Sequence, residues 1–68
     1  MKTLSIGSQV RKYRNLKGWS LGELGERANL AKSTLSDIEN DKAMPSIKAL
    51  RRVAEALGID LDYLFKQE

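Results

Sequence analysis

The chain has 68 residues, a net charge of +3 at pH 7, and neither cysteine nor histidine. Disulfide staples and the usual thiolate or imidazole zinc sites are thereby excluded, as are the commonest acid–base and nucleophile arrangements of enzymes. So short a chain buries only about 60% of its unfolded surface, which predicts one small domain held by helix packing or oligomerisation.

Residues 1–8 lack the apolar stretch of a signal peptide, and no apolar run is long enough to cross a membrane. A cytoplasmic protein is expected. Strict apolar/polar alternation is missing and there is a single proline, so strands are not expected. Thr, Ser, Asp and Gly divide the chain into five helical segments, which predicts an all-α fold.

The first segment runs from about Ile6 to Lys17. Ser5 is its N-cap, Ile6, Val10, Tyr13 and Leu16 form an apolar stripe, and Gly18 is its left-handed stop. The second runs from Leu21 to Ala28. Ser20 and Glu23 have capping-box spacing, and Trp19 and Leu24 that of a hydrophobic staple. Gly22 and Gly25 each cost roughly 0.8–1 kcal/mol relative to alanine inside a helix, so this segment needs tertiary contact, and Gly25 admits close approach by the next helix. Asn29, Leu30 and Ala31 form a tight turn, with Asn29 suited to positive φ.

The third segment runs from Lys32 to about Asn40. At about 100° per residue from Lys32, Leu35 and Ile38 fall at about 300° and 240° and define the buried side. Lys32, Ser33, Ser36, Asp37 and Asn40 fall between about 0° and 140°, an outward face of small or polar side chains. After a loop at 41–45, Ser46 caps a fourth segment from about Ile47 to Leu57, with Ile47, Leu50, Val53, Ala54 and Leu57 in register and Gly58 as its stop. Asp60 caps a short last segment, Leu61 to about Lys66, in which Leu61 and Leu64 cover the core.

Two short helices joined by a tight turn, over residues 20–40, have the layout of a helix-turn-helix, in which the second helix enters the DNA major groove. The charge distribution agrees: residues 1–34 carry seven Lys/Arg against two Glu, whereas residues 35–68 carry five basic and seven acidic residues. A basic face suits a polyanion.

The ordered motifs Ile6-x3-Val10-x2-Tyr13-Arg14, Gly18-x-Ser20-x2-Glu23-Leu24, Ser33-Thr34-Leu35-Ser36-x-Ile38-Glu39, Pro45-Ser46, Leu50-x2-Val53-Ala54-x-Ala56-Leu57-Gly58 and Leu61-x2-Leu64-Phe65 resemble the lambda-repressor and Cro type of helix-turn-helix protein over nearly the whole chain. Trp19-Ser20-Leu21 and Ala31-Lys32-Ser33 look most like a bacterial branch of biofilm and sporulation repressors. The resemblance implies a five-helix DNA-binding domain, a homodimer on a palindromic operator, and repression of transcription. Three positions depart from the pattern. Leu21 stands where many relatives have a phosphate-touching Gln, Gly25 where they have Ala, and Asn29 where they have Gly.

Carried onto this sequence, the base-reading positions are Lys32, Ser33, Ser36 and Asp37. Lysine donates to guanine, a carboxylate accepts from cytosine, and serine serves either role. Phosphate contacts are expected from Arg11, Ser20, Asn40 and Lys42. Arg14 and Glu39 take the positions of the family's structural ion pair. Tyr63 and Phe65 either form a two-fold interface or pack within the monomer. No cofactor or metal is expected. No sensor segment is read in the sequence, so control is expected through concentration, proteolysis or a protein antagonist. The competing reading is a protein-interaction module of the same fold that binds a partner regulator instead of DNA.

Overall fold

The computed structural model describes residues 5–65, which form five helices: α1 (Ile6–Lys17), α2 (Leu21–Ala28), α3 (Lys32–Glu39), α4 (Ile47–Leu57) and α5 (Asp62–Phe65). Local chemistry accounts for most of their ends. The hydroxyls of Ser5, Ser20 and Ser46 accept the backbone N–H groups of Ser8, Glu23 and Ala49 at 3.0, 3.1 and 3.0 Å, satisfying donors that a helix start leaves open. Gly18 (φ 74°) and Gly58 (φ 72°) end α1 and α4 in left-handed geometry. The next residues, Trp19 and Ile59, then donate back to the carbonyls of Arg14 and Ala54, closing the helix end.

Helix α1 is the hub and packs against α3, α4 and α5, while α2 packs against α3 and α4. Val10, Leu24, Leu35, Leu50, Val53, Leu57 and Leu64 are fully buried where these helices meet. Ile6, Tyr13, Trp19, Leu30 and Leu61 pack around them, half-buried. Trp19 also carries Arg27 over its ring at 4.3 Å, and the Glu23 carboxylate meets Arg27 at 3.4 Å.

Some apolar positions differ from the periodic reading. Leu16 is 72% exposed and Ile47 56% exposed, because the last turn of α1 and the first of α4 run past the core. Helix α5 starts at Asp62, one residue later than expected, with Tyr63 and Leu64 donating to the carbonyls of Asp60 and Leu61. Lys66, the expected end of that segment, lies outside the described residues.

Two buried residues of α1 escaped the pattern reading. Gln9 donates through Nε2 to the Tyr63 carbonyl at 3.0 Å, joining α1 to α5. Gly7 faces the end of α3, where a Cβ would overlap the Ile38 carbonyl oxygen and lie 2.8 Å from both the Glu39 carbonyl and Asp41 Oδ1. Helix propensity alone favours Gly7→Ala by about 1 kcal/mol. The clash is with backbone, which has little room to yield, and overpacking of this kind costs about 1–3 kcal/mol. The clash should therefore win, and Gly7→Ala should lower the midpoint of a thermal melt followed by circular dichroism; a raised midpoint would show that α1 and α3 are not held this closely.

Candidate nucleic-acid interface

The α2–α3 turn is built from three residues with distinct tasks. Asn29 takes φ 58° and ψ 47°, ending α2. The Leu30 N–H then donates to the Gly25 carbonyl at 2.9 Å, and Leu30 lies half-buried between the helices. Gly25 is where the turn comes closest: a Cβ there would sit 2.6 Å from the Leu30 carbonyl oxygen and 3.5 Å from a Leu35 methyl. The glycine that weakens α2 locally is thus the one that lets the turn fold back on it. Ala31, which precedes α3, has no side chain able to cap it.

Helix α3 has two unlike sides. Leu35, Ile38 and Glu39 are buried. Lys32, Ser33, Asp37 and Asn40 are exposed and Ser36 is half-buried, so all four expected base-reading residues lie together at the surface. Thr34, which the sequence reading did not single out, is also exposed. Ser20 at the start of α2, Lys42 after α3 and Arg11 on α1 are exposed as well.

The buried side of α3 is tied to α1 through Glu39, whose side chain is 2% exposed. Arg14 donates from Nε to Glu39 Oε2 at 2.6 Å and from Nη2 to Oε1 at 3.0 Å, while its Nη1 reaches the Trp19 carbonyl at 2.7 Å. This is a two-pronged guanidinium–carboxylate pair with a third bond to the segment leading into α2. Arg11 adds a second cation, its Nε 3.3 Å from Glu39 Oε1. Arg11 Nη2 lies 2.9 Å from Asn40 Oδ1 and 3.4 Å from the Glu39 carbonyl. Two residues expected at phosphates, Arg11 and Asn40, are therefore bonded to each other.

The hydrogen bond to Glu39 raises the pKa of Arg14 above its already high ordinary value; burial opposes this and the carboxylate charge adds to it. A raised pKa in the folded state gives a stabilisation that is complete below the ordinary value and lost only as pH rises through the raised one. The cationic side of the pair thus holds at any neutral or moderately alkaline pH.

The helix-turn-helix family profile matches residues 10–64. The chain belongs to the helix-turn-helix family. The helix-turn-helix-type transcriptional regulator SinR of Bacillus subtilis (strain 168) is 42% identical over 64 residues, covering 93% of this chain and 58% of that protein. The chain therefore spans less than two thirds of that relative's length. The crystal structure of SinR, the master regulator for biofilm formation, in complex with DNA superposes with a TM-score of 0.86 at 42% identity, covering 90% of this chain and 98% of that one. A complex of SinR with SinI matches with a TM-score of 0.86 over 90% of this chain and 60% of the other.

Removing Arg14 would leave Glu39 buried with only the long, half-exposed Arg11 contact. Stranding a buried charge costs about 3–5 kcal/mol, so Arg14→Ala should lose stability on that scale in chemical denaturation. A variant as stable as the wild type would show that the pair does not hold α3 to α1.

Proposed function

We propose that the protein is a sequence-specific DNA-binding regulator of transcription, acting as a repressor through α3 in the major groove. The observation that carries this reading is the two-sidedness of α3: one side is locked into the core and the other is a continuous small and polar surface. An α-helix fits the major groove, and only the side chains facing its floor read sequence. Lys32, Ser33, Ser36 and Asp37 are those side chains, with Asp37 acting against wrong bases as much as for the right one. Ser20 and Lys42 hold the phosphates on either side. Arg11 and Asn40, also expected at phosphates, direct their polar atoms to one another and to α3. The likeness to DNA-bound SinR supports the same docking.

The wider assembly belongs to this proposal. Phe65 is 47% exposed, and Tyr63, stacked on Tyr13 at 6.2 Å, is 37% exposed. A homodimer formed through these rings would place two copies of α3 about 34 Å apart, one turn of a palindromic operator. Protein antagonism is expected by analogy with the SinR–SinI complex. The setting is the bacterial or phage-infected cytoplasm, at the nucleoid when bound; among the described residues no helix is long and apolar enough to cross a membrane.

The competing reading, a module that binds a partner regulator, draws on half-buried Leu21 at the position where a phosphate-touching Gln is usual. A salt titration separates the two, since log K for DNA falls by about 0.9 per neutralised phosphate for each tenfold rise in salt. Affinity indifferent to salt would favour the interaction module.

Binding-site selection on random duplexes tests the assignment of roles. Lys32→Ala and Ser33→Ala should change which bases are recovered, whereas Lys42→Ala should weaken all sequences alike and lower the salt slope by about 0.9. Unchanged base preferences in the first two variants would remove them from the reading surface. Phe65→Asp should shift the protein toward monomer in sedimentation, and a dimer that persists would place the interface elsewhere.

A further inference from the structure

Helix α4 carries three cations that no other side chain engages. Among the described residues Lys48, Arg51 and Arg52 make no side-chain hydrogen bond or ion pair, whereas Arg11, Arg14 and Arg27 all meet carboxylates. At about 100° per residue from Ile47, Arg51, Lys48 and Arg52 fall at about 40°, 100° and 140°, opposite the buried Leu50, Val53 and Leu57. Glu55, the one carboxylate of α4, shares this face four residues after Arg51. It makes no pair there, although Glu23 meets Arg27 at 3.4 Å in the same spacing; the acid-first order is the favourable one. The face also lies away from α3. On α2, Gly25 looks toward α3, since a Cβ there would meet the Leu35 side chain at 3.5 Å and the Lys32 nitrogen at 3.7 Å. Arg27, about 200° further round the helix, instead lines a cleft of about 310 Å³ with Ala28, Asn29, Arg52, Glu55 and Ala56. Helix α4 thus sits across α2 from α3, with Arg52 half-buried and Ile47 exposed at the start of the same face.

We propose that the outer face of α4 docks an acidic segment of a partner protein: Lys48, Arg51 and Arg52 receive its carboxylates and Ile47 an apolar side chain. Charge complementarity carries the choice of occupant, because unpaired cations attract an anionic partner and disfavour a cationic one. A phosphate backbone is the other available polyanion. It offers nothing to Ile47 and is repelled by Glu55, whereas a protein segment brings apolar, acidic and basic groups together. The proposal goes beyond the DNA reading and does not need it. With the two faces on different sides of α2, a partner seated on α4 leaves the outward side of α3 open.

The test titrates the full chain by calorimetry with a short synthetic helical peptide of glutamate, alanine and leucine, and separately with duplex DNA across a range of salt. The peptide should bind the wild type, and its lysine-for-glutamate counterpart should not. Lys48→Ala and Arg51→Ala should each weaken the peptide about two- to fivefold, the scale of one exposed ion pair, and Ile47→Ser should weaken it as well. Both cations are exposed, so these variants report even where Arg52→Ala folds poorly. Lys32→Ala and Lys42→Ala, on the other face, should bind the peptide as the wild type does. The DNA salt slopes of Lys48→Ala and Arg51→Ala should match the wild type. A wild type that ignores the peptide would overturn the proposal, as would an equal loss in Lys32→Ala and Lys42→Ala, which would reduce the attraction to general basicity. A salt slope lowered by about 0.9 in each α4 variant would make the face a phosphate contact and overturn it too. Peptide binding on α4 with no DNA binding at all would uphold this proposal and overturn the DNA reading.

Discussion

The placement of α3 and of its outward face depends on one buried carboxylate. Glu39 sits at the end of α3 on the side away from solvent and is gripped by Arg14, with Arg11 alongside. A buried ion pair adds little net stability over an apolar pair of the same shape, because desolvation offsets the attraction. Its value is geometric. The fork of Arg14 accepts the carboxylate in one orientation and fixes the rotation of α3 about its own axis as well as its distance from α1. Apolar contacts at Leu35 and Ile38 hold the helix down but tolerate sliding. The third bond of Arg14, to the Trp19 carbonyl, ties the entrance of α2 to the same point, so α2 and α3 share an anchor.

Gly7 and Gly25 complete this geometry by what they lack. One lets α1 meet the last carbonyls of α3, and the other lets the turn carbonyl of Leu30 settle over α2. Both are glycines inside helices, where local propensity disfavours them. The left-handed Asn29 and Asp41 bracket α3 at its two ends. Asparagine and aspartate tolerate that conformation better than most side chains. The start and stop of α3 are thus set by backbone shape and its roll by charge.

Much of this was legible in the sequence where the cause is local. Serine caps, left-handed glycines and the angular split of α3 need only neighbours within a turn or two, and they place all five helices to within a residue or two of their described ends. Leu16 and Ile47 were misread because periodicity tells which side of a helix is apolar, not how far along the helix the core extends. Gly7 and Gln9 were missed because their partners lie far off in the chain. A glycine two residues into a helix was the one available hint. The outward face of α3 was legible as a surface, but the bonds linking Arg11, Asn40 and Ser36 were not. They depend on side chains 29 residues apart meeting at the end of α3.

The bond from Gln9 to the Tyr63 carbonyl spans 54 residues and joins the first helix to the last. During synthesis, α1 leaves the ribosome early with its apolar stripe uncovered, and α2 to α4 can cover only part of it. The seam with α5 closes when nearly the whole described chain has emerged. Closure of this seam is therefore a late step during synthesis. A nascent chain stalled before Leu64 would expose core side chains to chaperones and proteases.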